Sequence, residues 1–152
     1  MIRSAKARHN APGLIVLRIV IVACLIVDAV IHFQLAGNYD KSAPGGIGAG
    51  NLFRIEAVVA IISALYLLLV GSRRSYAVAA VVALSAFAAV LLSRYVELPP
   101  LGPIPAMYEP IWFAQKTATA VAEGLGGVLA ICGFVALGRS GPKASKEPRR
   151  RA

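Results

Sequence analysis

The chain has little of what soluble enzymes usually build their sites from. It contains two cysteines, Cys24 and Cys132, and two histidines, His9 and His32, in 152 residues. No C-x-x-C occurs, and the cysteines fall in separate apolar runs at different depths. Each is therefore expected to stay free and to pack as a small apolar side chain, since a disulfide needs Cα atoms within about 7 Å. There is no Walker loop, no dinucleotide fingerprint and no Ser/His/Asp set on defined turns. The GLGG stretch at 124–127 sits inside a helical run and is not a phosphate loop. Acids are also scarce, 7 against 16 basic residues, which leaves a net charge of +9.

Apolar residues are abundant instead. They make up 58% of the chain, against about 45–50% in soluble domains, and mean hydropathy is +0.71. The excess gathers into four runs, each near the roughly 20 residues that cross a bilayer core. What remains is too little for a soluble domain. The expected fold is all-α: a polytopic membrane protein built as an antiparallel four-helix transmembrane bundle.

The placement of the positive charge argues against nucleic acid as a partner. Arg3, Lys6 and Arg8 precede the first run, Arg73 and Arg74 separate the second from the third, and Arg139, Lys143, Lys146, Arg149, Arg150 and Arg151 follow the fourth. These sets occupy alternate loops and so one side of the membrane, which is the positive-inside pattern. Both termini are expected in the cytoplasm and the protein in the plasma membrane. Residues 1–35 do not read as a cleaved signal peptide: the run is long, carries Arg18, Asp28 and His32, and no A-x-A site follows.

The expected order is a basic arm over 1–12, a bundle over 13–138, and a disordered basic tail over 139–152 that meets anionic lipid. Helices are predicted over about 13–35, 52–70, 76–95 and 110–137. GSRRS (71–75) is a tight inner turn. ELPPLGPIPAMYEP (97–110) is a stiff, extended outer segment because four prolines remove donors and clash with helix. Pro110 suits the first turn of the fourth helix. Tyr39, Tyr95, Tyr108 and Trp112 fall at the outer boundary, where amphipathic rings prefer to sit. Ala77, Ala80, Ala83, Ala86 and Ala89, and on the fourth helix Ala122, Gly126 and Ala130, supply small-residue ridges. Such ridges serve close packing inside a bundle or a homo-oligomer surface.

Ionisable side chains in the apolar runs are the candidates for function, because placing one in a membrane is costly. Asp28 and His32 are four apart and can touch. Arg54 and Glu56 point to nearly opposite sides of the second helix, about 200° apart. Arg94 lies near the outer end of the third helix, and Lys116, Thr119 and Glu123 lie on the fourth. By residue count Asp28 and Glu56 lie about 10 Å inside the outer edge, and His32 and Arg54 about 5 Å. The set is one-sided and reads as a funnel open to the outside, acidic at its floor.

Three uses of such a funnel stand side by side. Asp28 holding His32, and Glu56 or Glu123 paired with Arg54, Arg94 or Lys116, would lock the helices in register. A small-ligand or quinone pocket would use His32 and the acids as proton donors and acceptors. A metal site would draw on Asp28 and His32 with Glu56 or Glu123, although a single imidazole in the membrane assigns no metal by itself. Tyr108, Glu109 and Trp112 are the candidates for contact with a membrane or extracytoplasmic protein partner.

RYVELPPLGPIPAMYEPIWFAQK (94–116) and IHFQLAGNYD (31–40) resemble segments of small four-span actinobacterial membrane proteins, mostly described only as hypothetical. The overall plan is loosely similar to DoxX-like proteins, compact four-helix bundles sometimes associated with redox enzymes. That likeness implies a fold and a redox neighbourhood, and it transfers no catalytic residue. The leading expectation is a non-enzymatic accessory or binding component with an outward-facing polar pocket. A DoxX-like redox or quinone-linked protein is second, and a small transporter subunit third.

Overall fold

The computed structural model describes residues 12–42, 46–97 and 99–139. The basic arm up to Ala11 and the basic tail beyond Arg139 lie outside the described residues. Four helices follow one another: α1 (Pro12–Ser42), α2 (Ala49–Val70), α3 (Arg73–Tyr95) and α4 (Ala114–Arg139). Each is long and apolar enough to cross a membrane. Large apolar side chains such as Val16, Ile62, Leu69, Val81 and Val121 are exposed around the outside. In water that would be an aggregation surface; in lipid it is the ordinary exterior of an integral membrane protein.

The helices form a ring. α1 packs on α2 and α4, α3 packs on α4, and the α2–α3 contact is the thinnest. Ile21, Leu25, Leu67 and Tyr76 fill the centre, and the Tyr76 hydroxyl donates to the Leu14 carbonyl at 3.1 Å. The small residues of α4 are spent on close approach inside the bundle. Gly126 backs onto Cys24 of α1, while Gly127 and Gly133 receive Leu84 and Tyr76 of α3. Ala122 and Ala130 are buried beside them. Cys24 and Cys132 are both free, but neither is buried as expected: Cys24 is half-buried and Cys132 is exposed, on the outer side of α4.

Two helix boundaries differ from expectation for reasons that shape the site. α1 continues seven residues past Leu35, through Gly37 and Asn38, to Ser42. Glycine in a helix costs about 1 kcal/mol relative to alanine, and α2 offsets it. Gly50 of α2 lies so close beneath α1 that a methyl group there would collide with the Ala36 carbonyl and the Asp40 carboxylate. Asp40 then meets Arg54 in a two-pronged pair, Nη1 to Oδ1 at 3.0 Å and Nη2 to Oδ2 at 2.5 Å. At about 1.5 Å per residue, the 31 residues of α1 exceed a roughly 30 Å hydrocarbon core. Its last turns can therefore stand in a wetter layer, where a charged pair is tolerated.

α4, by contrast, starts at Ala114, and Pro110 lies before the helix. The chain there is tied elsewhere: the Glu109 N–H donates to the Ser93 carbonyl at 2.8 Å, and Lys116 Nζ reaches back to the Glu109 carbonyl at 2.5 Å. The Pro-rich segment is not extended throughout either. Leu101 and Ile104 exchange N–H···O bonds of 3.0 and 3.1 Å around Gly102, whose φ of 60° only glycine adopts readily. The Ile47 N–H donates to the Pro103 carbonyl at 2.8 Å, which folds this turn back over the end of the bundle.

At the opposite end, the turn between α2 and α3 is tighter than the expected 71–75: it is Gly71 and Ser72 alone, and Arg73, Arg74 and Ser75 already form the first turn of α3. Gly71 closes α2 with φ 58° and an N–H bond to Leu67, and the Ser72 side chain caps α3 by accepting from the Ser75 N–H at 3.2 Å.

Candidate functional site

The folded-back loop roofs a cavity of about 490 Å³ at its end of the bundle. Each helix contributes a stripe at helical spacing. α1 gives His32, Leu35 and Tyr39; α2 gives Leu52, Phe53 and Glu56; α3 gives Ala86, Ala89 and Ser93; α4 gives Lys116 and Thr119. The roof includes Pro99, Leu101, Ile104, Met107 and Tyr108. The wall is mainly apolar, with a few ionisable groups set into it, rather than polar throughout. An aromatic row stiffens one side: Phe53 stands edge-on to His32, with centroids 5.1 Å apart, and packs on Tyr39 at 4.3 Å.

The seven ionisable candidates separate into three groups. His32, Glu56 and Lys116 line the cavity. Lys116 is buried in spite of its charge, its ammonium resting on the Glu109 carbonyl and 5.8 Å from the Trp112 ring centre. Asp28 and Glu123 lie behind His32, 1% and 2% exposed, and do not line the cavity. Arg54 and Arg94 are outside it. Arg54 is occupied by Asp40, and the Arg94 guanidinium lies over the Tyr95 ring at 5.0 Å. Of the loop candidates, Tyr108 and Glu109 face the cavity, while Trp112 does not line it.

The expected pairing of Glu56 or Glu123 with Arg54, Arg94 or Lys116 does not form. The described ion pairs are His32–Asp28 and Arg54–Asp40. The extra turns of α1 explain this, because they deliver Asp40 to Arg54 and so withdraw that base from the interior.

The core of the site is the Asp28–His32 unit with Glu123 beside it. His32 Nδ1 is 3.1 Å from the Asp28 carbonyl oxygen and 2.8 Å from Asp28 Oδ1. A carbonyl only accepts, so Nδ1 carries a proton and a neutral ring would keep its free lone pair on Nε2. One ligand atom from each of Asp28, His32 and Glu123 lies within 4.8 Å of the others. Both Glu123 carboxylate oxygens, Thr119 Oγ1 and Glu56 Oε1 are buried without a hydrogen-bond partner among the described residues. Buried polar atoms ordinarily find partners, so this is an unusual concentration of unmet hydrogen-bonding capacity.

Phe53, Ser93 and Met107 carry no mark in the sequence reading, and Tyr39 figures there only as a boundary aromatic, not as a cavity residue. The signal for Tyr39 was present, since residues 32, 35 and 39 follow i, i+3, i+7 spacing on α1. Met107 carried none, because it reaches the cavity only through the fold of the loop. In comparisons with known proteins, the chain matches no family profile, and no curated protein or solved structure is significantly similar to it.

Proposed function

We propose that the protein is a membrane-embedded binding component that holds a mainly apolar molecule with a polar head in the cavity under the Pro-rich roof. The observation that carries this reading is the combination of about 490 Å³ of space, an apolar and aromatic wall, and His32, Glu56 and Lys116 set into it. Pockets of this size and lining, with a few fixed polar groups, are the usual form of small-molecule sites. The Lys116 ammonium donates, while the free Nε2 lone pair of a neutral His32 ring and the Glu56 carboxylate accept, so a head with both carbonyl and hydroxyl character is matched. The alternation of basic loops supports a cavity open to the extracytoplasmic side and both termini in the cytoplasm of a plasma-membrane protein. A role as an accessory subunit agrees with the exposed Trp112 beside the roof.

A quinone-linked, DoxX-like redox role is the second reading. It is favoured by His32, the one side chain of the cavity suited to exchanging protons near neutral pH. The two readings share one test. Ala89 lines the cavity and is otherwise unpacked, so Ala89→Phe fills the space without displacing core. Native mass spectrometry of the wild-type protein, extracted in mild detergent, is expected to retain a small molecule that the Ala89→Phe protein has lost at unchanged melting temperature. Identical adducts on both proteins would refute the proposal, and the mass of the retained molecule decides whether it is a quinone.

A further inference from the structure

Asp28, His32 and Glu123 are not explained by the cavity, since two of the three are sealed off from it. Three observations bear on what they do. Their ligand atoms converge within 4.8 Å. All three residues are buried. Glu123, 2% exposed, brings a carboxylate oxygen into this cluster, and neither of its oxygens has a hydrogen-bond partner among the described residues. We propose that these three side chains form a binding site for one divalent first-row transition-metal ion, of the Zn²⁺ or Mn²⁺ type.

Charge supports this assignment. Metal ions take up such ligands in their deprotonated form; with both carboxylates ionised and the imidazole neutral, the three side chains would carry two negative charges in a dry interior, where uncompensated charge is strongly disfavoured. One divalent ion brings the total to zero. Donor type supports it as well: imidazole with carboxylates suits Zn²⁺ and Mn²⁺, and no thiolate is needed. The arrangement also follows a common scheme, in which two ligands at i, i+4 share one helix face and a third comes from a facing helix.

Metal–ligand bonds of about 2.0–2.2 Å need the ligand atoms drawn together from within 4.8 Å, and the His32 ring must turn its Nδ1–H away from Asp28 to offer a nitrogen lone pair, so binding rearranges all three side chains. His32 alone of the three touches the cavity, which makes the cavity the route of access. The site does not depend on what else the cavity holds.

The test uses the full chain, expressed with supplemented Zn²⁺ or Mn²⁺, reconstituted in nanodiscs and desalted. Elemental analysis is expected to find close to one ion per wild-type chain, and added Zn²⁺ is expected to raise the melting temperature of metal-stripped protein. Asp28→Asn and Glu123→Gln should weaken binding at least tenfold. His9→Ala, which removes the chain's other imidazole, should leave it unchanged. If a variant fails to insert, the wild-type stoichiometry and its Zn²⁺-dependent melting still decide. Wild-type protein without ion in either measurement would overturn the proposal in favour of a proton shared between the acids. Full retention by Glu123→Gln would overturn it too.

Discussion

The crossing of α1 over α2 at Gly50 makes a sharp prediction, because two effects there have opposite sign. Helix propensity alone favours Gly50→Ala by about 1 kcal/mol. Packing opposes it, since the new methyl would meet the Ala36 carbonyl and the Asp40 carboxylate. A backbone carbonyl in mid-helix cannot swing aside as a side-chain end can, so α1 must lift. Overpacking of this kind costs about 1–3 kcal/mol, and packing should win. The net expectation is a loss of up to roughly 2 kcal/mol, the difference between those two effects.

The displacement should also reach the cavity, because α1 carries His32 and Tyr39 and α2 carries Phe53 opposite them. Reversible unfolding of the full chain in mixed detergent micelles measures the stability, alongside Arg54→Ala as a comparison. The Arg54–Asp40 pair is over two-fifths exposed on each side and screened by solvent, so its loss should matter less than Gly50→Ala. A Gly50→Ala protein as stable as the wild type, or more stable, would refute the close crossing and with it the account of why α1 runs on to Ser42.

Two further outcomes are expected from the same unfolding assay. Gly71→Ala should lose about 1 kcal/mol or more, since Gly71 has φ 58° and left-handed backbone disfavours a Cβ; Gly71→Asn should be milder. Tyr76→Phe should lose about 0.5–1.5 kcal/mol by leaving the Leu14 carbonyl without its donor; an unchanged stability would mean that carbonyl is satisfied otherwise.

Much of the architecture was legible because lipid imposes simple rules. Four apolar runs of spanning length leave only helices as a solution, and Gly71 with Ser72 signals both ends of a tight turn. The ends facing the cavity were harder to read, for a physical reason in each case. Gly37 and Asn38 are genuine helix breakers, overruled by Gly50, which lies elsewhere in the chain. Pro110 is a good helix starter, but Glu109 is held by Ser93 and the helix begins later. Proline content indicated a stiff segment between α3 and α4, yet Gly102 reverses it. The Asp28–His32 contact followed from spacing within one helix, whereas the approach of Glu123 depends on how α4 seats against α1, through Gly126 on Cys24.

The ionisable residues in the membrane now divide by what each one does. Arg54 with Asp40 ties α1 to α2, and Lys116 ties α4 to the roof; both are interhelical or loop contacts of the kind a register lock requires. The Asp28–His32 contact is different, because both residues belong to α1 and their bond joins no two helices. Glu123 does come from another helix, but it brings a second acid to Asp28, and a bond between the two needs one of them to keep a proton. A lock made this way would weaken the seam it spans, since like charges repel and buried acids lose their hydration. An apolar side chain of similar volume at position 123 would hold α1 and α4 together better. The arrangement becomes favourable once something positive sits among the three side chains. The behaviour of Glu123→Gln toward Zn²⁺ is therefore more informative than its stability.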